Sequence, residues 1–173
     1  MIQWLAAALL VCGLASAQDS KFGHSYKGKA PPEIAGAKEQ WINAPDGLQI
    51  AKLKGKVVWL EFGFLKCGPC KKMAPIMDKW HQEYGSKGLV ILDIDDGGVD
   101  DLDEVQKDVK EKGSKYAVLW DKDSRNCQTY GIEVFPRAYL VGVDGTVLWE
   151  GIPNEKLEEI EKLMTAEFAK VKK

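Results

Sequence analysis

Val57-Val58-Trp59-Leu60-Glu61-Phe62 restricts the fold of this chain more than any other stretch, because it is nearly all apolar and does not alternate. A strand with one wet face would show polar residues at every second position, so this run belongs to a strand covered on both sides. Such strands lie inside sheets flanked by helices, and a helix pattern follows. From Cys67 to Tyr84 the apolar residues Met73, Ile76, Met77, Trp80 and Tyr84 share one helical face, with Pro75 expected to kink the helix and Gly85 to end it. The alternation then repeats. Leu89-Val90-Ile91-Leu92-Asp93-Ile94 reads as a second buried strand, and Leu102, Val105 and Val109 mark a helix ending at Gly113. Ala117 to Trp120 is a short strand leading to a short helix that carries Cys127 and closes at Gly131. Arg137 to Gly142 and Thr146 to Glu150 are strands joined by the turn Asp144-Gly145. A last amphipathic helix, from about Asn154 to Lys170, turns Leu157, Ile160, Leu163, Met164 and Phe168 inward. This order predicts an α/β fold, a central mixed sheet with helices on both faces. Its parallel part is built by right-handed crossovers and its edge by the hairpin.

The chain has 173 residues, 45% of them hydrophobic, enough for one domain with a proper core. Its formal charge of -2 is spread over interspersed lysines and acids, with one dense acidic run from Asp93 to Glu104. Neither feature suits a nucleic-acid partner. The first residues point to export. Ile2 to Gln18 carries no charge and contains Ala15-Ser16-Ala17, the small-x-small pattern of a cleavage site, so residues 1–17 are read as a signal peptide. No Lys or Arg precedes the apolar run, and the alternative is an uncleaved membrane anchor at the short limit for spanning, roughly 17 residues. Cys12 follows Leu10-Val11 rather than a small residue, which argues against a lipid-anchored cysteine. Residues 18–32, polar with a Pro-Pro pair, are expected to form a flexible linker, and residues 33–173 the domain. Export to a periplasm or the extracellular space means an oxidising compartment.

Within the domain, Cys67-Gly68-Pro69-Cys70 is the motif that carries chemistry, and each use of such a pair needs company. A structural zinc needs four ligands, and the remaining candidates are Cys127 with His24 in the linker and His81 well along the helix. Covalent haem needs His after the second cysteine, where Lys71 stands. A peroxide-reducing cysteine would have Pro and Thr just upstream, where Phe64-Leu65-Lys66 supplies neither. A permanent disulfide between residues three apart would close too small a loop to restrain the unfolded chain much. Placement favours a reactive pair. Cys67 falls between a buried strand and the start of a helix, where unpaired N–H groups and the helix dipole stabilise a thiolate. Such sites bring a cysteine pKa from about 8.5 into a range of roughly 3.5 to 7.5. Cys70, one turn further in, is expected to be shielded and to act as the resolving thiol. Cys127 is expected to be a buried, inert thiol.

The run Glu61-Phe62 through Cys67-Gly68-Pro69-Cys70-Lys71-Lys72-Met73-Ala74-Pro75-Ile76-Met77-Asp78 resembles the active-site strand and helix of the thioredoxin superfamily. Val134-Phe135-Pro136, after Tyr130-Gly131-Ile132, resembles that family's cis-proline loop. Trp41-Ile42-Asn43, the segment Leu53 to Val58, the charged insert after Asp93 and the signal peptide are similar to the exported TlpA/ResA-like thiol:disulfide oxidoreductases. The resemblance covers about Glu33 to Lys170. It implies a thioredoxin-like fold and a redox-active disulfide between Cys67 and Cys70, with Cys67 attacking and Cys70 resolving. It implies no cofactor and no metal. Pro136 would be cis beside the sulfurs, and Phe135, Gly151 and Ile152 would line the substrate groove; for Ile152 in particular an ordinary turn role is the competing reading. Glu61 stands where thioredoxin has a buried Asp that serves the dithiol as proton acceptor; the alternative is a Glu at a strand end reaching solvent. Two positions depart from the thioredoxin pattern: Lys66 replaces a Trp before the first cysteine, and Ile91 replaces the lysine that accompanies the buried acid. The partners implied are cysteine-containing substrate proteins and an upstream thiol electron donor, which a membrane could hold. A soft-metal carrier, for copper, using the same cysteines is the alternative from another class, and a redox-inert interaction module is a third.

Overall fold

The computed structural model describes residues 19–20 and 22–171; the expected signal peptide and its cleavage site lie outside them. The strands are β1 (Asp19–Ser20), β2 (Gly23–His24), β3 (Trp41–Ile42), β4 (Val57–Gly63), β5 (Leu89–Asp96), β6 (Ala117–Asp121), β7 (Arg137–Val141) and β8 (Val147–Gly151). The helices are α1 (Gly68–Tyr84), α2 (Leu102–Lys112), α3 (Arg125–Tyr130) and α4 (Leu157–Phe168). β1 and β2 pair in a small hairpin, and the others form a six-stranded sheet in the order β3-β6-β5-β4-β7-β8. β6, β5 and β4 run parallel, whereas β3, β7 and β8 each enter antiparallel to a neighbour. The mixed sheet expected from the sequence is therefore present.

β4 is buried at every position, as its lack of alternation demands. Alternate residues along it build two separate cores. Val57 and Trp59 pack with Met73, Met77 and Trp80 of α1, Val105 of α2, and Ile160 and Met164 of α4. Val58, Leu60 and Phe62 pack on the other face with Cys127 and Tyr130 of α3, and with Ile34, Ala44 and Ile50 from the chain before β4. The two consecutive crossovers β4-α1-β5 and β5-α2-β6 step in one direction across the sheet, so their right-handedness puts both helices on one side. α1 continues through Pro75, because losing one backbone donor and straining one turn does not outweigh a helix face buried at Met73, Met77 and Trp80.

The described part of the expected linker is held to the sheet. Gly28 donates its N–H to the Val147 carbonyl at 2.9 Å, and Val147 returns one to Lys29. The Tyr139 hydroxyl donates to the His24 carbonyl at 3.0 Å, the Tyr130 hydroxyl to the Pro32 carbonyl at 2.5 Å, and the Tyr26 N–H to Glu150 Oε2 at 2.8 Å. A polar composition suggested a free segment, but residues 98 to 124 positions away, Tyr130, Tyr139 and Glu150, hold this one. β3 is likewise too short to read from sequence; its register with β6 sets Trp41 beside Leu119. Among the described residues no helix is long and apolar enough to cross a membrane.

Candidate active site

β4 ends at Gly63 and α1 begins at Gly68, and the turn between them brings Cys70 to the cavity that the buried Glu61 also lines. Cys67 caps α1 in extended backbone geometry, and its Sγ accepts the Cys70 N–H at 3.1 Å. Pro69 lies in the first turn of α1, where its missing N–H costs nothing. Cys67 and Cys70 form a disulfide with their Cα atoms 5.2 Å apart. Gly63 makes room for it: a Cβ there would come within 3.3 Å of Cys70 Sγ.

Exposure does not rank the sulfurs as expected. In this oxidised pair Cys67 is 5% exposed, whereas Cys70 is partly exposed. The reason is local. The Cys67 N–H closes a turn onto the Phe64 carbonyl, and Cys70 borders a cavity of about 50 Å³ under α1. What distinguishes Cys67 is its place at the helix terminus, where the unpaired N–H groups favour a negative sulfur. Lys66 beside it is exposed.

The cavity is lined by Glu61, Asp93 and Asp95 from the sheet, Cys70 and Lys71 from α1, and Asp108 and Lys112 from α2, among others. Glu61 is 1% exposed, so the alternative of a side chain reaching solvent is excluded for this carboxyl. The Trp59 indole N–H donates to its Oε2 at 3.0 Å. Burial, and then the charge of Asp93, push the Glu61 pKa well above the usual carboxylate range, opposed by the Trp59 hydrogen bond. The parallel register sets Glu61 beside Asp93 and Ile91 beside Trp59. The neighbour of the buried acid is thus a second acid rather than Ile91. Burial raises Asp93 to about 7, with Lys112 pulling down and Asp108 and Asp78 pushing up. Asp95 is raised to about 8 by burial and then by Asp93, Asp100 and Asp96, and its buried Oδ1 has no hydrogen-bond partner.

Three further contacts assemble the surroundings. Asp100 Oδ2 accepts the Leu65 N–H at 2.5 Å, so the loop after β5 anchors the turn that carries Cys67. The Phe135-Pro136 bond is cis, and Phe135 meets Phe64 edge to face with centroids 5.3 Å apart. Asn154 Nδ2 donates to the Pro69 carbonyl at 3.1 Å, which brings the segment after Gly151-Ile152 onto the cysteine turn. Phe135, Gly151 and Ile152 are partly exposed, whereas Pro136 is buried. Gly151 has a packing reason of its own, since a Cβ there would lie 3.0 Å from the Trp149 ring. Cys127 lies apart, buried on the opposite face of the sheet, its thiol pKa pushed up by burial and then by Asp96 and Asp121. Among the described residues no group of three or more His, Cys, Asp or Glu is placed to hold a metal ion.

Asp93, Asp95, Asp100, Asn154 and Phe64 are the parts that sequence reasoning passed over. Asp93 and Asp95 did carry a signal: they stand two apart in an apolar run, hence on one face of β5. Asp100, Asn154 and Phe64 carried none, because their partners are set by loop paths.

Residues 28–150 match the model of the AhpC/TSA family. The chain belongs to the AhpC/TSA family. Its relatives there include the thiol-disulfide oxidoreductase ResA of Bacillus thuringiensis (strain Al Hakam), 33% identical over 115 residues that make up 66% of this chain and 65% of the relative. The chain thus spans slightly less than two thirds of that relative's length. ResA of Halalkalibacterium halodurans is 27% identical over 147 residues, 80% of this chain and 82% of the relative. Among solved structures, a thiol:disulfide interchange protein from Bacteroides sp. superposes with a TM-score of 0.65 at 23% identity, covering 80% of this chain and 90% of that one. A thiol:disulfide interchange protein of the thioredoxin family from Chlorobium tepidum gives 0.61 at 20% identity, covering 80% and 95%. These superpositions make the fold of this AhpC/TSA member thioredoxin-like.

Proposed function

We propose that this chain is an exported thiol:disulfide oxidoreductase that reduces protein disulfides through Cys67 and Cys70. The observation that carries the reading is a disulfide at the start of α1 whose Cys70 lines the same cavity as the buried carboxyl of Glu61. ResA relatives named for this activity support it, and the Gly-Pro between the cysteines resembles the reducing members of the superfamily.

In the reducing direction the Cys67 thiolate attacks a substrate disulfide, forming a mixed disulfide and releasing one substrate sulfur as a thiolate. Cys70 then loses its proton towards Glu61 and attacks Cys67 Sγ. The bond between the Cys67 and substrate sulfurs breaks, and its electron pair leaves on the substrate sulfur, which takes a proton from water. The enzyme ends oxidised and the substrate reduced by two electrons. Phe135 and cis-Pro136, with Gly151 and Ile152, form the groove for the substrate chain; the Phe64-Phe135 and Asn154-Pro69 contacts support this by bringing both segments to the cysteine turn. The partners are cysteine-containing proteins outside the cytoplasm, in a periplasm or extracellular, and a thiol donor that re-reduces the pair. The uncharged first residues, ending in Ala15-Ser16-Ala17, support the export of residues 18–173.

Insulin reduction by dithiothreitol tests the reading. The wild type should accelerate precipitation of the insulin B chain well above the rate with dithiothreitol alone. If it does not, and the reduced protein instead holds one Cu(I) per chain, the soft-metal carrier takes its place.

A further inference from the structure

Glu61 has an unusual position for a group that must dispose of a proton. It is 1% exposed, fixed at one oxygen by Trp59, and enclosed by β4, β5 and α1. Burial raises the pKa of such a carboxyl and so favours its protonated form. A protonated acid can take a second proton only by giving up its own. The structure provides a place for it to go.

We infer that Asp93 is the terminal proton acceptor of the dithiol, taking through Glu61 the proton that Cys70 loses. This rests on the oxidoreductase reading and adds a positioning residue to it. Asp93 is the in-register neighbour of Glu61 on the adjacent parallel strand, so the two side chains leave the same face of the sheet with a strand spacing of about 4.8 Å. Both line the cavity of about 50 Å³ that also touches Cys70. That volume can hold a water, which needs at least roughly 10–15 Å³ and polar partners. Glu61 is fully buried, and Asp93 is partly exposed as a residue.

The charges around Asp93 fit an acceptor that works near neutrality. Glu61 faces it from β4, Asp95 from its own strand, Asp78 from α1, Asp108 and Lys112 from α2, and Tyr116 from the residues before β6. Lys112 favours the ionised form and the acids oppose it, so Asp93 ionises near pH 7. The step balances. Cys70 gives its proton to the Glu61 carboxyl as that carboxyl passes its own proton to the Asp93 carboxylate, directly or through one water. Cys70 Sγ bonds to Cys67 Sγ, and the electron pair of the mixed disulfide departs on the substrate sulfur. Asp93 then releases the proton to solvent.

Stopped-flow reaction of the reduced protein with the aromatic disulfide dithiobis(nitrobenzoate) separates the steps. The first coloured thiolate reports attack by Cys67 and the second reports resolution by Cys70. In the wild type the second release should slow as pH falls below about 7. Asp93→Asn should slow it at pH 7 on the order of a hundredfold and move its rise to higher pH, leaving the first release unchanged; Asp93→Glu should restore it. Lys112→Met, which leaves the carboxyl in place, should move the same rise to higher pH. Asp93→Asn and Lys112→Met profiles that coincide with wild type overturn the inference. If Glu61→Gln nevertheless slows the second release, Glu61 accepts the proton alone and its part in the proposed function stands. If Glu61→Gln is also without effect, that part falls too, and a wild type giving no second release overturns the oxidoreductase reading itself.

Discussion

The two faces of the central sheet are built from alternate residues of the same strands, yet they solve opposite problems. On one face Phe62, Tyr130 and Tyr139 form a ring cluster with Tyr26, centroids 4.8–6.2 Å apart, and the tyrosine hydroxyls bind backbone carbonyls of the N-terminal segment. Every polar atom cited there has a partner, and the burial is stabilising throughout. On the other face Glu61, Asp93 and Asp95 sit under α1 and α2 around a cavity, and Asp95 Oδ1 has no partner at all. Buried acids of this kind cost stability. The aromatic face adds stability, whereas the carboxylate face costs it, and the proposed proton transfer is what that cost would serve.

The sharpest break of this comparison uses one thiol from each face. Cys70→Ala should abolish insulin reduction and accumulate mixed disulfides through Cys67, since no other thiol can resolve them. Cys127→Ala, on the aromatic face, should keep full turnover and lose about 1 kcal/mol of stability. Comparable loss of turnover in both would end the division of labour between the faces.

Next in size is Tyr130, which is fully buried and central to the ring cluster. Tyr130→Ala should cost about 3–5 kcal/mol in urea unfolding of the oxidised protein. The pH dependence of Cys70 resolution should stay where it is. If that profile moves in a variant still folded by circular dichroism, the faces are coupled.

The smallest effect concerns the carboxylates as stability elements. Glu61, Asp93 and Asp95 all have raised pKa values in the folded state, so the native protein binds protons more tightly than the unfolded chain. Their contribution is fully present below the ordinary carboxylate pKa near 4 and is lost as pH rises through about 7 and about 8. Asp95→Asn should therefore gain stability relative to wild type steadily as pH rises from 5 to 8, by at most about 1.4 kcal/mol per pH unit. A gap that stays constant with pH would show that Asp95 is ionised throughout.

Much of this fold was legible in local pattern. The non-alternating run at Val57 to Phe62 had to be an interior strand, and the spacing Met73, Met77, Trp80 had to be a buried helix face; both are found so. The cysteines between them could be placed at a helix start for the same reason. Glu61 was legible as the single acid in an apolar strand. The packed N-terminal segment was not, because its composition is polar and what fixes it is a set of distant tyrosines. Nor were the relative exposures of Cys67 and Cys70, which depend on a cavity formed by three elements.

Local pattern dictates the strand and helix periods, the hairpin turn at Asp144-Gly145, and the placing of Cys67-Gly68-Pro69-Cys70 between a strand and a helix. Those follow from backbone geometry over a few residues. Tertiary structure alone decided that Glu61 faces Asp93 rather than Ile91, and that Asp100 and Asn154 brace the cysteine turn. Strand register is the physical reason for the first, since a shift of two residues between β4 and β5 keeps the same faces buried and satisfies the same pattern while exchanging an isoleucine for an aspartate beside the buried acid.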